Sequence, residues 1–269
     1  MHKGILVYDR TDAQYNSWFI EKIISEGAKS GLDIQLMISD EIETESVIQN
    51  DNISFAIMRN RDALMSEQLE KASIRCFNSS YVCRIGNDKW EMYRDFASSG
   101  IPVMYTQTSK LPYPFVFKPR NGHGGKNVFL VNNAEEFDQI KDKLNGEDLS
   151  YYIYQMKSSE TGRDIRVYVC GDMILTAMER VAGDGEFRAN FSLGGEAHEH
   201  ALTDDELKLA AKVANHIKAD FVGIDIIYNN GKPIVNEVED AVGTRMLYAN
   251  TDIDAVSEYI KWISKSLEE

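Results

Sequence analysis

Lys118 ends an apolar, strand-like run, Phe115-Val116-Phe117-Lys118, and Gly122, Gly124 and Gly125 follow, with His123 among them, before a second run from Val128 to Val131. Glycine-rich turns let the backbone wrap closely around a ligand. They expose N–H groups that cradle phosphate oxygens, and the lysine adds a point charge. An ordinary hairpin with a floppy loop has the same local pattern. A P-loop is excluded, because Arg120 stands where it needs glycine and Asn127 where it needs Ser or Thr. The His-Arg-Asp and Asp-Phe-Gly segments of a protein kinase are missing as well.

A second set is acidic. Glu237 and Glu239 lie two apart in a strand-like run, so their side chains leave one face roughly 7 Å apart. Asp225 sits between Ile224 and Ile226, in a run too apolar for a wet edge. Three carboxylates converging there repel one another unless a cation lies among them, and hard oxygen ligands suit Mg²⁺ or Mn²⁺. A wet strand face carrying Glu237, Glu239 and Asp240 is the alternative. The metal reading requires Asp225 to stand opposite Glu237. A two-residue Asn230-Gly231 turn pairs Asp225 with Asn236 instead, so a three-residue turn over 230 to 232 is expected, with a bulge as the other solution.

A third set is cationic: Arg163, Arg166, Arg180, Arg188 and Arg245. Arg166 lies inside a strand-like run, where a guanidinium must find a partner or a ligand; salt-bridge duty and ligand binding are both open. His2, His198, His200 and His216 read as surface residues. There is no Gly-x-Ser-x-Gly elbow.

The elements that position these groups begin with alternating strand and helix. Strands are expected at 5 to 8, 34 to 37, 54 to 58 and 74 to 77. Helices are expected at 16 to 30, carrying Trp18, Ile20, Ile23 and Ile24, and at 62 to 72. This pattern favours an α/β layer with a largely parallel sheet. No G-x-G-x-x-G follows the first strand, which argues against a dinucleotide site. Asn87 is expected to cap a helix with Trp90, Tyr93 and Ala97 inward. Asp164 to Cys170 and Met173 to Arg180 read as a hairpin, 182 to 198 as a mobile loop, and 221 to 239 as a second hairpin. Thr203 to Glu206 form a capping box ahead of Leu207, Ala210, Ala214 and Ile217. A last helix follows a Thr251 or Asp252 cap.

The 269 residues, 43% apolar, suffice for a sizeable core in one large domain or two to three lobes. With 43 acidic and 29 basic residues the chain carries −14, which argues against nucleic acid or an anionic membrane as a partner held by overall charge. Cys76, Cys83 and Cys170 read as buried thiols of a reducing compartment. No run has the length of a signal peptide's core or a membrane span, so the expected location is the cytoplasm.

Taken in order, these pieces resemble an ATP-grasp ligase, most closely the RimK-like branch that joins glutamate to a protein C-terminus. The resemblance runs from about Asn87 to Trp262. It rests on Asn87-Asp88-Lys89, Lys118-Pro119 with Gly122 to Gly125, Gly162 to Arg166, and Glu179-Arg180 with Gly185 to Asn190. Gly194-Gly195, Val222 to Asp225 and Asn236 to Glu239 complete the series. It implies an α/β ATP-grasp fold: a small N-terminal α/β domain over 1–85, a central lobe with the glycine flap over 86–153, and a C-terminal lobe with the metal site over 154–269.

The resemblance also implies roles. Lys89, Lys118, Gly122, His123, Gly124 and Gly125 fall on the ATP phosphates, Gln155, Met156 and Lys157 along the adenine, and Asn190 in the nucleotide site. Mg²⁺ falls on Asp225, Glu237 and Glu239, with Arg166 and Arg188 near the transferred phosphate. The implied reaction is phosphorylation of a carboxylate of an amino acid, peptide or protein tail, then attack by an amine. Homo-oligomers are common in the family. Two departures stand out. The family's Glu-x-Asn, Ser-Pro-Gly becomes Glu239 followed by Asp240-Ala241-Val242-Gly243, and the usual acidic residue after Gln155 is Met156. Arg245, in the altered acceptor region, is expected to clamp a substrate carboxylate bidentately. A peptide-crosslinking ligase and a non-catalytic nucleotide-binding regulator are the alternatives.

Overall fold

The computed structural model describes residues 2–50, 52–122, 124–183 and 196–269. His123, Arg188 and Asn190, named above as site candidates, lie outside the described residues, as does most of the segment expected to be a loop.

The N-terminal segment alternates as its apolar runs require: β1 (His2–Tyr8), α1 (Arg10–Tyr15), α2 (Ser17–Lys29), β2 (Leu32–Ile38), α3 (Thr44–Ile48), β3 (Ile53–Met58), α4 (Ala63–Lys71) and β4 (Arg75–Phe77). The four strands form a parallel sheet in the order β2-β1-β3-β4. β1 is buried from Gly4 to Tyr8, as befits a strand covered on both faces. In α2, Phe19, Ile20 and Ile23 face the core, whereas Trp18 is 54% exposed and rests edge-on against Tyr248.

Two short helices lead onward, α5 (Ser80–Asn87) and α6 (Lys89–Ser98). The cap of α6 is Asp88, whose carboxylate accepts from the N–H groups of Trp90 and Glu91. Asn87 instead turns its amide back to the Cys83 carbonyl at 2.7 Å. The inward face is consequently Lys89, Met92, Tyr93 and Phe96, and Ala97 is exposed.

A second, antiparallel sheet runs β5-β8-β6-β7. It is built from β5 (Thr106–Gln107), β6 (Phe115–Pro119), β7 (Phe129–Val131) and β8 (Tyr152–Met156), with α7 (Ala134–Lys143) against it. Phe115 and Phe117 alternate inward and pack on Phe137, Tyr152 and Tyr154 with ring centroids 4.7–5.5 Å apart. Val116 and Lys118 point the other way, out of this aromatic core.

The third sheet is antiparallel, in the order β11-β10-β9-β12-β13. Its strands are β9 (Arg163–Cys170), β10 (Met173–Val181), β11 (Glu196–Glu199), β12 (Phe221–Asn229) and β13 (Lys232–Glu239). β11 corrects the expected loop at its end, since Glu196 to Glu199 pair with β10. Helix α8 (Asp204–Ile217) begins at the Thr203–Glu206 capping box. It buries Leu209, Ala210, Val213, Ala214 and Ile217, and leaves Leu207 47% exposed. Helices α9 (Arg245–Asn250) and α10 (Ala255–Glu268) close the chain; the cap of α10 is Asp254, held by Lys22 at 2.8 Å. Among the described residues no helix is long and apolar enough to cross a membrane.

The faces of this third sheet decide where charge can go. Ile165, Val167, Val169, Val222, Ile224 and Val238 pack against α5, α6 and α8. Tyr168, Cys170, Met178 and Phe221, on the opposite face, join the core beneath α2, α10 and the parallel sheet. Farther along that same face the apolar residues give way to Asp164, Arg166, Arg180, Asp225, Glu237 and Glu239. The strand registers Asp225↔Arg166, Asp225↔Glu237 and Arg180↔Asp164 place them side by side.

Candidate functional site

The β12–β13 hairpin closes through a two-residue Asn230-Gly231 turn, both residues having positive φ (52° and 71°). The three-residue turn expected from the sequence is not used. Its alternative is: the register shifts between Asp225 and Ile226, leaving Asn236 as the extra residue of a bulge, and Asp225 stands opposite Glu237.

The carboxylates do not wait on a metal to be satisfied. Arg166 donates from Nε to Asp225 Oδ1 at 2.8 Å and from a terminal nitrogen to Asp225 Oδ2 at 2.7 Å, and to Glu239 Oε1 at 2.6 Å. Arg180 forks onto Asp164 at 2.6 and 2.7 Å and reaches Asp225 Oδ2 at 2.7 Å. Lys89 Nζ donates to Glu237 Oε1 at 2.8 Å and to the Gly122 carbonyl at 2.7 Å, linking the glycine turn to the acidic strand. Among the described residues no three His, Cys, Asp or Glu side chains converge by themselves as a metal-binding group. The physical reason is that guanidinium forks match carboxylate geometry and neutralise it in place.

Burial and charge compete at each of these groups. Burial raises the Asp225 carboxyl, but Arg166 and Arg180 outweigh it and hold Asp225 well below the usual range. For Glu239 burial prevails over Arg166, and its carboxyl is raised. Lys118 is buried, donates to the Tyr93 hydroxyl at 2.8 Å, and is pushed down to about 8 by burial, with Glu237 acting against the shift. Among the described residues its hydrogen-bond partner is neutral, so it gains from an anion brought alongside.

These groups line one cavity of about 190 Å³ between the second and third sheets. Lys89, Lys118, Gly122, Gly124, Gly125, Gln155, Met156, Lys157, Arg166, Asp225, Glu237 and Glu239 all border it. Gly122, Gly124 and Gly125 have φ of 117°, 68° and 71°, a backbone that side-chain-bearing residues adopt only with strain, so glycine is required for this turn. Gly223 is needed for a different reason: a Cβ there comes within 2.6 Å of Val242 Cγ2 and 3.5 Å of Arg166 Cδ.

Arg245 is elsewhere. It is exposed at the start of α9 and donates to the Tyr15 carbonyl. Sequence reasoning missed Met104, Val116 and Ile227, which give the cavity an apolar end, and the pairing of Asp164 with Arg180. Val116 was legible from its alternation with Phe115 and Phe117; the Arg180 partner depends on a cross-strand register. His200 and His216, expected at the surface, are partly buried against Glu206 (2.9 Å) and Asp95 (2.6 Å).

The arrangement suits a polyanion with an apolar end. A glycine turn and buried lysines border the same cavity as the carboxylates, an environment whose chemistry suits phosphate on one side and a hard divalent cation on the other. The donor set therefore fits magnesium.

Comparison with known proteins agrees with this chemistry. A RimK-like ATP-grasp domain model matches residues 93–263. The chain is similar to the uncharacterized protein MG011 of Mycoplasma genitalium, 30% identical over 255 residues, covering 91% of this chain and 86% of that one. It is 29% identical over 199 residues to a probable alpha-L-glutamate ligase of Haemophilus influenzae, covering 70% and 67%. In fold it is similar to the D-alanine–D-alanine ligase of Bacillus anthracis, whose structures include one with ATP. The TM-score is 0.75 at 17% identity, over 100% of this chain and 98% of that one.

Proposed function

The chain belongs to the RimK-like ATP-grasp family of ATP-dependent C–N ligases, and from that premise we propose that it activates a carboxylate of an amino acid, peptide or protein tail as an acyl phosphate and joins it to an amine. ATP-grasp ligases bind ATP, typically with magnesium. In our reading Lys89, Lys118 and the Gly122–Gly125 turn hold the phosphates, and the backbone of Gln155 to Lys157, with Met104, Val116 and Ile227, holds the adenine. Asp225, Glu237 and Glu239 are the residues that would hold Mg²⁺, with Mn²⁺ as a substitute. The metal supplies charge neutralisation on the phosphates.

The observation that carries this reading is that four buried or nearly buried cations, Lys89, Lys118, Arg166 and Arg180, line the same cavity as the glycine turn and the acidic strand. A carboxylate oxygen attacks the γ-phosphorus and ADP departs. The amine nitrogen then attacks the acyl carbon, inorganic phosphate departs and one proton is released. Arg166 and Arg180, freed from their carboxylates, neutralise charge on the transferred phosphoryl group, and the glycine turn excludes water from the acyl phosphate.

The test is ATP turnover by the full chain with pooled amino acids and peptides. ADP and phosphate released in proportion to a new amide support the reading. ATP binding without turnover across the pools, or release of AMP and pyrophosphate, contradicts it.

A further inference from the structure

Lys89 and Tyr93 lie four residues apart on α6, so their side chains leave the same face of the helix one turn apart. That face meets neighbouring residues of β13. Lys89 reaches the Glu237 carboxylate at 2.8 Å, and the Tyr93 hydroxyl donates to the Asn236 carbonyl at 2.6 Å. Asn236 is the bulged residue that keeps Asp225 opposite Glu237. β13 is also an edge strand, so the carbonyl of an unpaired residue there needs a donor from elsewhere.

The same hydroxyl oxygen accepts from Lys118 Nζ at 2.8 Å, and that ammonium stands 5.0 Å from the centre of the Tyr93 ring. A phenol has one hydrogen and two lone pairs. Here the hydrogen goes to the acidic strand and a lone pair to the lysine, so one atom joins the second sheet to the third. Tyr93 is itself 2% exposed and stands behind the cavity wall, whereas Lys89, Lys118, Asn236 and Glu237 all border the cavity. A phenylalanine would fill the same space. Only the hydroxyl ties the two walls together.

We propose that Tyr93 is a positioning residue: its hydroxyl fixes the Lys118 ammonium against the bulged strand, and so couples the phosphate side of the cavity to its metal side. The roles of Lys118 and the carboxylates rest on the ligase reading, whereas the coupling is a property of binding alone. A buried hydrogen-bonded network holds its members in one arrangement, because a member left without its partner is costly. Without the hydroxyl, Lys118 loses its fixed place relative to Glu237, and Asn236 loses the donor to its carbonyl. ATP alone should still bind, through Lys89, Lys118 and the glycine turn. What should fade is the help that Mg²⁺ gives to ATP, and by reciprocity ATP to Mg²⁺.

The test is calorimetry on the full chain, giving the Kd of ATP in EDTA and in saturating Mg²⁺ for the wild type, Tyr93→Phe and Tyr93→Met. The affinity of Mg²⁺ for free ATP is common to all three and cancels in the comparison. In Tyr93→Phe the factor by which Mg²⁺ tightens ATP should fall at least fivefold, while the Kd in EDTA changes less than threefold. Tyr93→Met, a second side chain without a hydroxyl, should show the same loss. Phe96→Leu, on the same inward face of α6, loosens the packing and leaves the hydroxyl in place. It should lower the denaturation midpoint and keep the factor within twofold. In ATP turnover, the Mg²⁺ concentration for half-maximal rate should rise at least fivefold in Tyr93→Phe. A wild type in which Mg²⁺ does not tighten ATP, an unchanged factor in the hydroxyl-free variants, or an equal loss in Phe96→Leu overturns the proposal. Loss of coupling in a chain that turns over no ATP with any substrate pool leaves Tyr93 in this role and removes the ligase reading instead.

Discussion

Asp225 and Glu237 face one another across β12 and β13 because a single bulged residue, Asn236, offsets the two-residue turn that closes the hairpin. Without the bulge the period-two alternation of a strand carries Glu237 to the opposite face, beside Ile224. One inserted residue therefore keeps Asp225, Glu237 and Glu239 on the cavity side.

The two facing carboxylates should separate stability from activity. Asp225 is buried and holds both Arg166 and Arg180, so Asp225→Asn leaves two buried cations short of a partner and should cost about 3–5 kcal/mol in chemical denaturation. Glu237 is more exposed and, among the described residues, its ion pair is with Lys89 alone, so Glu237→Gln should cost clearly less than Asp225→Asn. Both should lower metal-dependent ATP turnover at least a hundredfold. Equal destabilisation by the two contradicts the assignment of Asp225 as the hub.

Lys118 gives a pH dependence of defined sign. Its ordinary value of 10.5 falls to about 8 in the folded protein, so between these values the unfolded chain holds a proton that the folded chain has released. From this group, stability rises as pH climbs through that window and the penalty is complete below it. Phosphate favours the charged lysine. ATP binding at pH 9 should thus take up a proton, seen as a buffer-dependent heat, and Lys118→Met should abolish the uptake.

Gly223 should resist even alanine. The added methyl meets buried Val242 and crowds the Arg166 stem, and overpacking of this kind costs about 1–3 kcal/mol. Gly223→Ala should lower the denaturation midpoint and weaken ATP turnover together. Gly231→Ala, in the exposed hairpin turn, meets no neighbouring atom; its positive φ should cost about 1–2 kcal/mol in stability, and turnover of the folded protein should be unchanged.

The sequence made the strands and the charged sets legible, and obscured how they face one another. Apolar runs such as Ile5 to Tyr8 and the capping box at Thr203 depend on neighbours in the chain, and they stand where they were expected. Helix faces depend on what packs against them, so Ala97, expected inward, lies outward, and Trp18 and Leu207, apolar and at helical spacing, are exposed. Caps were ambiguous where two capping residues adjoin, as at Asn87 and Asp88. The glycine turn, Lys118 and the three carboxylates could be named from local pattern. The fork of Arg180 on Asp164 and the hold of the Tyr93 hydroxyl on Lys118 and Asn236 arise only when elements remote in sequence are brought into register.

The central claim, transfer of the γ-phosphoryl group to a carboxylate, is tested most directly by isotope transfer. The full chain is incubated with Mg-ATP and amino acids and peptides labelled with ¹⁸O in their carboxylates, and the released phosphate is analysed by mass spectrometry. One ¹⁸O atom in each phosphate, with one amide formed per phosphate, is the expected result. Unlabelled phosphate accompanying amide formation contradicts the account.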